Sequence, residues 1–293
     1  MTNSTDDAAV ASDVALMHAA EEGERAALDP EPPISLRRSS RWRPRLVVGL
    51  VQAALVVGVL VLWQVAADRG WIRKSFSSRP TDIWNAFFDF YHSGQMATST
   101  VATAKAVAIA FVIGTVAGTL FGFILGMSQN IDRVIGPFLV PINSVPRIAL
   151  APLFILWFGL TTSAKVWLAV SIVFFILAFN ARASVKSVEP DLLVMGRVLG
   201  LRRRQMLTKV IFPSSVPALF AGVRLAITYS LLGVIGSEMI GAKDGLGQDI
   251  AVFSSTFNTA SMFAVLIELA IVATLVNLVF EQIERRLLRW QNR

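Results

Sequence analysis

The chain has no cysteine and only two histidines, His18 and His92, among its 293 residues. The first absence excludes disulfides, thiolate metal sites and cysteine nucleophiles. The second argues against a histidine-based zinc site, because two imidazoles so far apart in the chain supply too few nitrogen ligands. A phosphate-cradling loop is missing as well: no G-x-x-x-x-G-K-S/T run occurs, and Gly245-Leu246-Gly247 lacks a following lysine and reads as a turn. Charge is scarce. Only 16% of residues are Asp, Glu, Lys or Arg, against roughly a quarter in soluble domains. What is present is apolar: 54% of the chain is hydrophobic and the mean hydropathy is +0.60. A soluble protein so composed would leave much of its surface without polar cover. The net charge of +7 does not point to nucleic acid, because the basic residues lie between long apolar segments. The composition is that of a polytopic membrane protein.

A helix crossing the hydrocarbon needs about 20 apolar residues. Leu46–Ala66 supplies 21 residues without a charge, and Ala106–Met127 supplies 22. Ile148–Ala164 and Val166–Ala181 follow, split by Lys165; Pro213–Ile240 is broken only by Arg224 and Glu238, and Phe257–Phe280 only by Glu268. These windows predict an all-α transmembrane bundle of about six helices, near 46–67, 98–127, 137–160, 163–187, 214–241 and 259–284. Pro137, Pro141, Pro146 and Pro152 interrupt the third. Broken backbone at membrane depth is tolerated only where protein or a wet cavity satisfies it, so this element is expected inside the bundle. Gly114, Gly118, Gly122 and Gly126 recur every fourth residue of the second helix, a ridge that lets another helix approach closely.

Lysine and arginine placement sets orientation. If the N-terminus is inside, the inner side carries seventeen Lys and Arg residues and the outer side six, Lys165 and Lys243 among them. Both termini are therefore expected in the cytoplasm. Residues 1–36 hold eight acidic residues and one basic, Arg25, which reads as a disordered cytoplasmic tail and not a signal peptide. Residues 37–45 are a basic juxtamembrane segment suited to anionic lipid.

The connection 187–212 is too apolar for a plain loop. Pro190 sits behind Glu189 and beside Asp191, all favourable at a helix start. Leu192, Met195 and Leu199 then fall on one face, and Gly200 stands where a terminating glycine belongs. Arg202, Arg203 and Arg204 crowd positive charge at the next helix start, which calls for compensation from lipid phosphates or an acidic partner. Leu207, Val210 and Ile211 follow, then Pro213. The result is a rigid elbow, or alternatively a helix pair lying on the surface without a partner.

From Glu189 through Gly196 and Gly200 to Val210-Ile211-Phe212-Pro213, this segment resembles the "EAA" motif of binding-protein-dependent ABC transporter permeases. Gly200 takes the glycine position, while Val210, Phe212 and Pro213 take the Ile, Leu and Pro positions; Val194-Met195-Gly196 replaces Glu-Ala-Ala. Ile142–Pro146 with Ala151–Leu160, Phe179-Asn180, Glu238–Gly241 and Gly245–Gly247 are similar to the nitrate/sulfonate/taurine branch of those permeases. The resemblance covers about residues 46–290. It implies an importer-type ABC permease fold in the bacterial inner membrane, a second permease copy (a homodimer), two cytoplasmic ATPase subunits and an extracytoplasmic solute-binding protein. ATP and Mg would be held by the ATPase partner and no cofactor by this chain, which is then a conduit and not an enzyme. Glu189, Leu192, Met195, Gly196, Leu199, Gly200, Arg202, Arg203 and Pro213 become the ATPase-coupling residues. The implied solute is small and anionic, of sulfonate, taurine or nitrate type.

Polar residues within the spans offer candidates for the path. Asn180 ends the fourth helix and Glu238 lies near the outer end of the fifth; each either lines the path or bonds a neighbouring helix. Glu268 sits deep in the sixth, where a charge costs about 3 kcal/mol or more, so it is expected to be neutral or paired with Arg224. Two other classes remain open: a membrane scaffold, which would share the elbow, and a secondary transporter, which would usually show internal repeats.

Overall fold

The computed structural model describes residues 42–71 and 77–287. The acidic segment 1–36 and residues 37–41 of the basic segment lie outside them. By Cα proximity the chain falls into two units, 1–58 and 59–293. Of the first, Trp42–Gly58 is the opening part of helix α1 (Trp42–Asp68), and every described side chain from 47 to 58 is exposed.

The second unit is built on three long helices: α3 (Gln95–Met127), α6 (Thr162–Lys186) and α9 (Phe212–Ile240). The glycine ridge of α3 meets α6, as its spacing predicts. A Cβ added to Gly118 or Gly122 would lie 2.4 Å from the carbonyl oxygen of Phe174 or Ala178. Only hydrogen fits there, so the two backbones touch and bury Val173, Leu177, Ala178 and Ala181. α9 packs on an adjoining face of α6 and also meets α3, with Gly222 pressed on Asn180 and Gly233 on Ala169. α11 (Thr259–Leu287) completes the set of long helices.

The proline-rich third element departs from expectation in two ways. It is two helices, α4 (Gln129–Ser144) and a 3₁₀ turn (Arg147–Leu150) leading into α5 (Ala151–Phe158), bent by 81°. Pro146 lacks the N–H that would reach the Ile142 carbonyl, and the residue before it, Val145, is extended (φ −67°, ψ 126°) as a pre-proline residue must be. The pair is also not enclosed within the chain. Pro137, Pro141, Pro146 and Pro152 are all exposed, and so are Phe138, Leu156 and Trp157. Among the described residues five helices are long and apolar enough to cross a membrane, six if this bent pair counts as one span.

Two short helices lie where loops were expected. α2 (Pro80–His92) starts on Pro80 with Asp82 in its first turn, and α10 (Leu246–Ser255) follows the turn 241–245. Phe90 of α2 and Leu246 and Ile250 of α10 share a buried cluster with Met96 and Val265. The fifth span also begins earlier than residue 214. Arg203–Ile240 is one continuous 38-residue helical run, comprising α8 (Arg203–Met206), a π-helical stretch (Leu207–Ile211) and α9. Pro213 cannot donate to the Lys209 carbonyl, and the wider π turn falls at that point.

Candidate functional site

α7 (Pro190–Val198) emerges from the end of α6 at Ser187 with Glu189 as N-cap and Asp191 in its first turn. Glu189 is exposed and its side chain caps nothing. Gly200 ends the helix in a left-handed conformation, φ +69°. Its N–H donates to the Arg197 carbonyl at 3.0 Å, and the Leu201 N–H donates to that of Gly196 at 3.0 Å. These two bonds form a Schellman closure, which positive φ makes possible and which turns the chain back sharply. A Cβ on Gly200 would meet nothing within 4 Å. The chain itself therefore demands glycine there for backbone reasons alone.

Gly196 answers a different need. A Cβ there would lie 2.6 Å from Cε of Met206, so α7 rests directly on α8. The outward apolar face is broader than Leu192, Met195 and Leu199. Leu192 is half-buried, whereas Val194, Met195, Val198 and Leu199 are all exposed, Val198 at 81% and Leu199 at 69%. Arg202, Arg203 and Arg204 are exposed as well, and among the described residues none of them has a carboxylate at ion-pair distance. Gln205 Oε1 accepts the Arg202 N–H at 2.9 Å, which supplies one cap bond but no charge. Pro213 lies half-buried in the first turn of α9. Beneath the elbow, Asp132 in the first turn of α4 pairs with Arg182 and Lys186 at the end of α6, tying the α3–α4 turn to the base of α7. Asp132 was not recognised from sequence, because its partners lie some fifty residues away.

The opposite end of the bundle holds a buried ion pair. Lys165, in the first turn of α6, is 2% exposed, and Glu238, near the end of α9, is 0% exposed. Lys165 Nζ donates to Glu238 Oε1 at 2.9 Å, to Asp244 Oδ1 at 2.8 Å and to the Asp244 carbonyl at 3.1 Å. The Glu238 carboxylate also accepts from Thr103 Oγ1 at 3.0 Å and from the Gly247 N–H at 3.0 Å. Of the two readings open to Glu238, the geometry realises the bond between neighbouring helices; its carboxylate has no open face within the chain. Lys165 is not an outer-loop cation but its partner. The sequence signal was a single lysine between two apolar runs.

Of the two expectations for Glu268, neutral or paired with Arg224, the pairing is not realised. Glu268 accepts from Thr100 Oγ1 at 3.1 Å, while Arg224 pairs with Glu284 at 2.6 Å. Glu284 lies sixteen residues beyond Glu268 on α11, about 24 Å further along its axis, and that is the depth at which Arg224 meets the helix. Asn180 donates from Nδ2 to the Ile176 carbonyl at 2.8 Å and lines an open groove together with Arg147, Asn143 and Tyr229. Asn180 thus packs against α9 and faces the groove at once.

Residues 114–290 match the family model described as "Binding-protein-dependent transport system inner membrane component". The chain is 28% identical over 256 residues to the putative aliphatic sulfonates transport permease protein SsuC of Bacillus subtilis, covering 87% of this chain and 92% of that one. It is 32% identical over 233 residues to the riboflavin transport system permease protein RibX of Chloroflexus aurantiacus, covering 80% and 87%. In fold it is similar to the inward-facing MetNI methionine ABC transporter, with a TM-score of 0.59 at 18% identity, covering 67% of this chain and 97% of that one. By this match, which its elbow, glycine-packed helices and bent span accompany, the chain belongs to the binding-protein-dependent transport system inner-membrane components, as a membrane-spanning permease subunit of an ABC importer.

Proposed function

We propose that two copies of this chain form the translocation path of an ATP-driven importer for a small anionic solute of sulfonate, taurine or nitrate type. A solute-binding protein delivers the solute on the extracytoplasmic side. Two ATPase subunits, which hold ATP and Mg, dock beneath the elbow in the cytoplasm, so both termini of this chain are cytoplasmic. The permease domain is 46–290, its coupling segment 187–212, and the acidic residues 1–36 are a tail that transport does not need. The solute class rests on the likeness to the sulfonate permease.

The observation that carries the coupling role is the exposed apolar face Val194, Met195, Val198 and Leu199 on a helix closed by Gly200, beside three arginines that have no carboxylate at ion-pair distance among the described residues. Such a face is costly in water and fits an apolar groove with an acidic rim. ATP-driven closure of the ATPase dimer would draw the two elbows together, and the continuous helix Arg203–Ile240 would transmit that movement into the bundle.

The test is solute-stimulated ATPase activity of the complete complex in nanodiscs. Gly200→Asp should leave insertion normal and abolish both the stimulation and firm ATPase co-purification. Normal stimulation in that variant would overturn the coupling role and leave the scaffold reading. For topology, Lys243→Cys should label from outside the cell and Ser187→Cys only after permeabilisation; the reverse pattern would invert the orientation.

A further inference from the structure

Arg147 occupies the break in the bent span, where Pro146 separates α4 from the 3₁₀ turn. Its guanidinium reaches α6 and donates to the Ser171 carbonyl at 2.7 Å. Ser171 lies nine residues from the start of the 25-residue α6, about 14 Å along its axis. That places the charge near the middle of the span. The group is held firmly: it donates to the Ile142 carbonyl at 3.3 Å and to Asn143 Oδ1 at 3.2 Å, and its Cζ lies 3.9 Å over the Phe175 ring. Ile142 is the residue whose carbonyl Pro146 leaves without a helical donor, so the arginine side chain also repairs the break.

These partners are all neutral. Among the described residues no carboxylate lies at ion-pair distance from Arg147. The contrast with Lys165, at the other exceptional cation site, is complete: Lys165 has two carboxylates. Arg147 opens instead on a groove of about 580 Å³ whose other polar side chains are Asn143, Asn180 and Tyr229, and whose remaining lining is apolar, without a single acidic group. A cation fixed at mid-span beside amides and a phenol is not a surface for lipid tails, and such residues ordinarily face a wet cavity. Broken helices that present polar groups near the midplane are where transported solutes are met. Two of the guanidinium's five N–H groups, Nε–H and one on Nη1, are left over from the neutral contacts. They suit the oxygens of a planar or tetrahedral anion.

We propose that Arg147 is an anion-recognition residue in the wall of the solute path, binding the oxyanion head of a small sulfonate or carboxylate while Asn143, Tyr229 and Asn180 border it. This deepens the importer reading and rests on it. The apolar lining, Ile148, Ile172 and Leu225 included, accommodates a short alkyl chain, and the missing carboxylates disfavour a cationic solute.

Because the chain has no cysteine, Leu225→Cys puts a lone thiol on the groove. The probes are the sulfonate-bearing and the trimethylammonium-bearing ethyl methanethiosulfonates. They are applied to the full chain purified with its ATPase partner in nanodiscs without nucleotide. Relative to their rates with a free thiol, the anionic reagent should react about tenfold faster than the cationic one, as an unscreened nearby charge requires. Millimolar methanesulfonate should slow the reaction. Arg147→Gln should remove both the preference and the protection, and Arg147→Lys, which keeps the charge, should retain the preference. If Arg147→Gln fails to fold, the preference and protection in the Leu225→Cys protein and in Arg147→Lys decide the matter. Equal rates for the two reagents would overturn anion recognition while leaving a wet path intact. No reaction with either reagent would mean that lipid covers the groove, and would overturn the path assignment itself.

Discussion

The two ends of the α6–α9 pair treat charge in opposite ways. At one end Lys165, Glu238, Thr103 and the α10 N-terminus close on one another, with both ionic groups nearly or wholly removed from solvent. At the other end Arg202, Arg203 and Arg204 stand exposed beside an uncovered apolar helix face. A buried pair resists separation, because removing either partner strands a desolvated charge. Exposed arginines contribute little to the fold and remain available to a partner. One end is therefore built to stay closed on itself, and the other to be completed from outside. A glycine with positive φ at each end shows the same contrast. Gly245 (φ +115°) lies against the Glu238 carboxylate, where a Cβ would sit 2.2 Å from Oε1. Gly200 (φ +69°) has nothing within 4 Å.

The largest effect expected from this contrast is that of Lys165→Met. It leaves the fully buried Glu238 without its main cation and should cost about 3–5 kcal/mol, read as a lowered midpoint of thermal unfolding in detergent. Replacing both partners, Lys165→Met with Glu238→Met, should recover most of that loss. A single variant as stable as the original would show that the ion pair does not hold this end.

Gly245→Ala comes next. It combines a backbone region that only glycine adopts readily with a clash against a fixed carboxylate, for about 2–4 kcal/mol. Gly200→Ala carries the left-handed penalty alone, about 1–2 kcal/mol, in the same unfolding measurement. If the two alanine variants were equally destabilised, the difference in packing between the ends would be of no consequence.

Arg203→Gln should be smallest, within about 0.5 kcal/mol of the original. Its effect belongs in ATPase co-purification, and the salt dependence of that association should weaken with it. A marked loss of stability in the isolated chain would mean that the arginine already has a partner within it.

The long spans were legible because an uninterrupted apolar run has few alternatives to a helix in lipid. The glycine ridge of α3 was legible for a related reason: a four-residue repeat stays on one face whatever it packs against. α2 and α10 were not. Pro80–His92 and Leu246–Ser255 mix apolar and polar residues over barely three turns, too short for periodicity to tell a helix from a loop. The four prolines of the bent span announced a break, yet not its place outside the single chain. That place depends on which surface α6 has left after α3 and α9 have taken theirs.

The sequence by itself determined the membrane class, the elbow with its closing glycine, and the presence of isolated charges within apolar runs. Those properties follow from local composition and from neighbours a few residues apart. Tertiary structure alone decided what the charges do. Lys165 meets Glu238 across 73 residues, Arg224 meets Glu284 across 60, and Arg147 meets no carboxylate among the described residues. Whether a charge within a span is paired depends on the direction in which each helix turns its side chains, and that direction is settled by packing between helices distant in the chain.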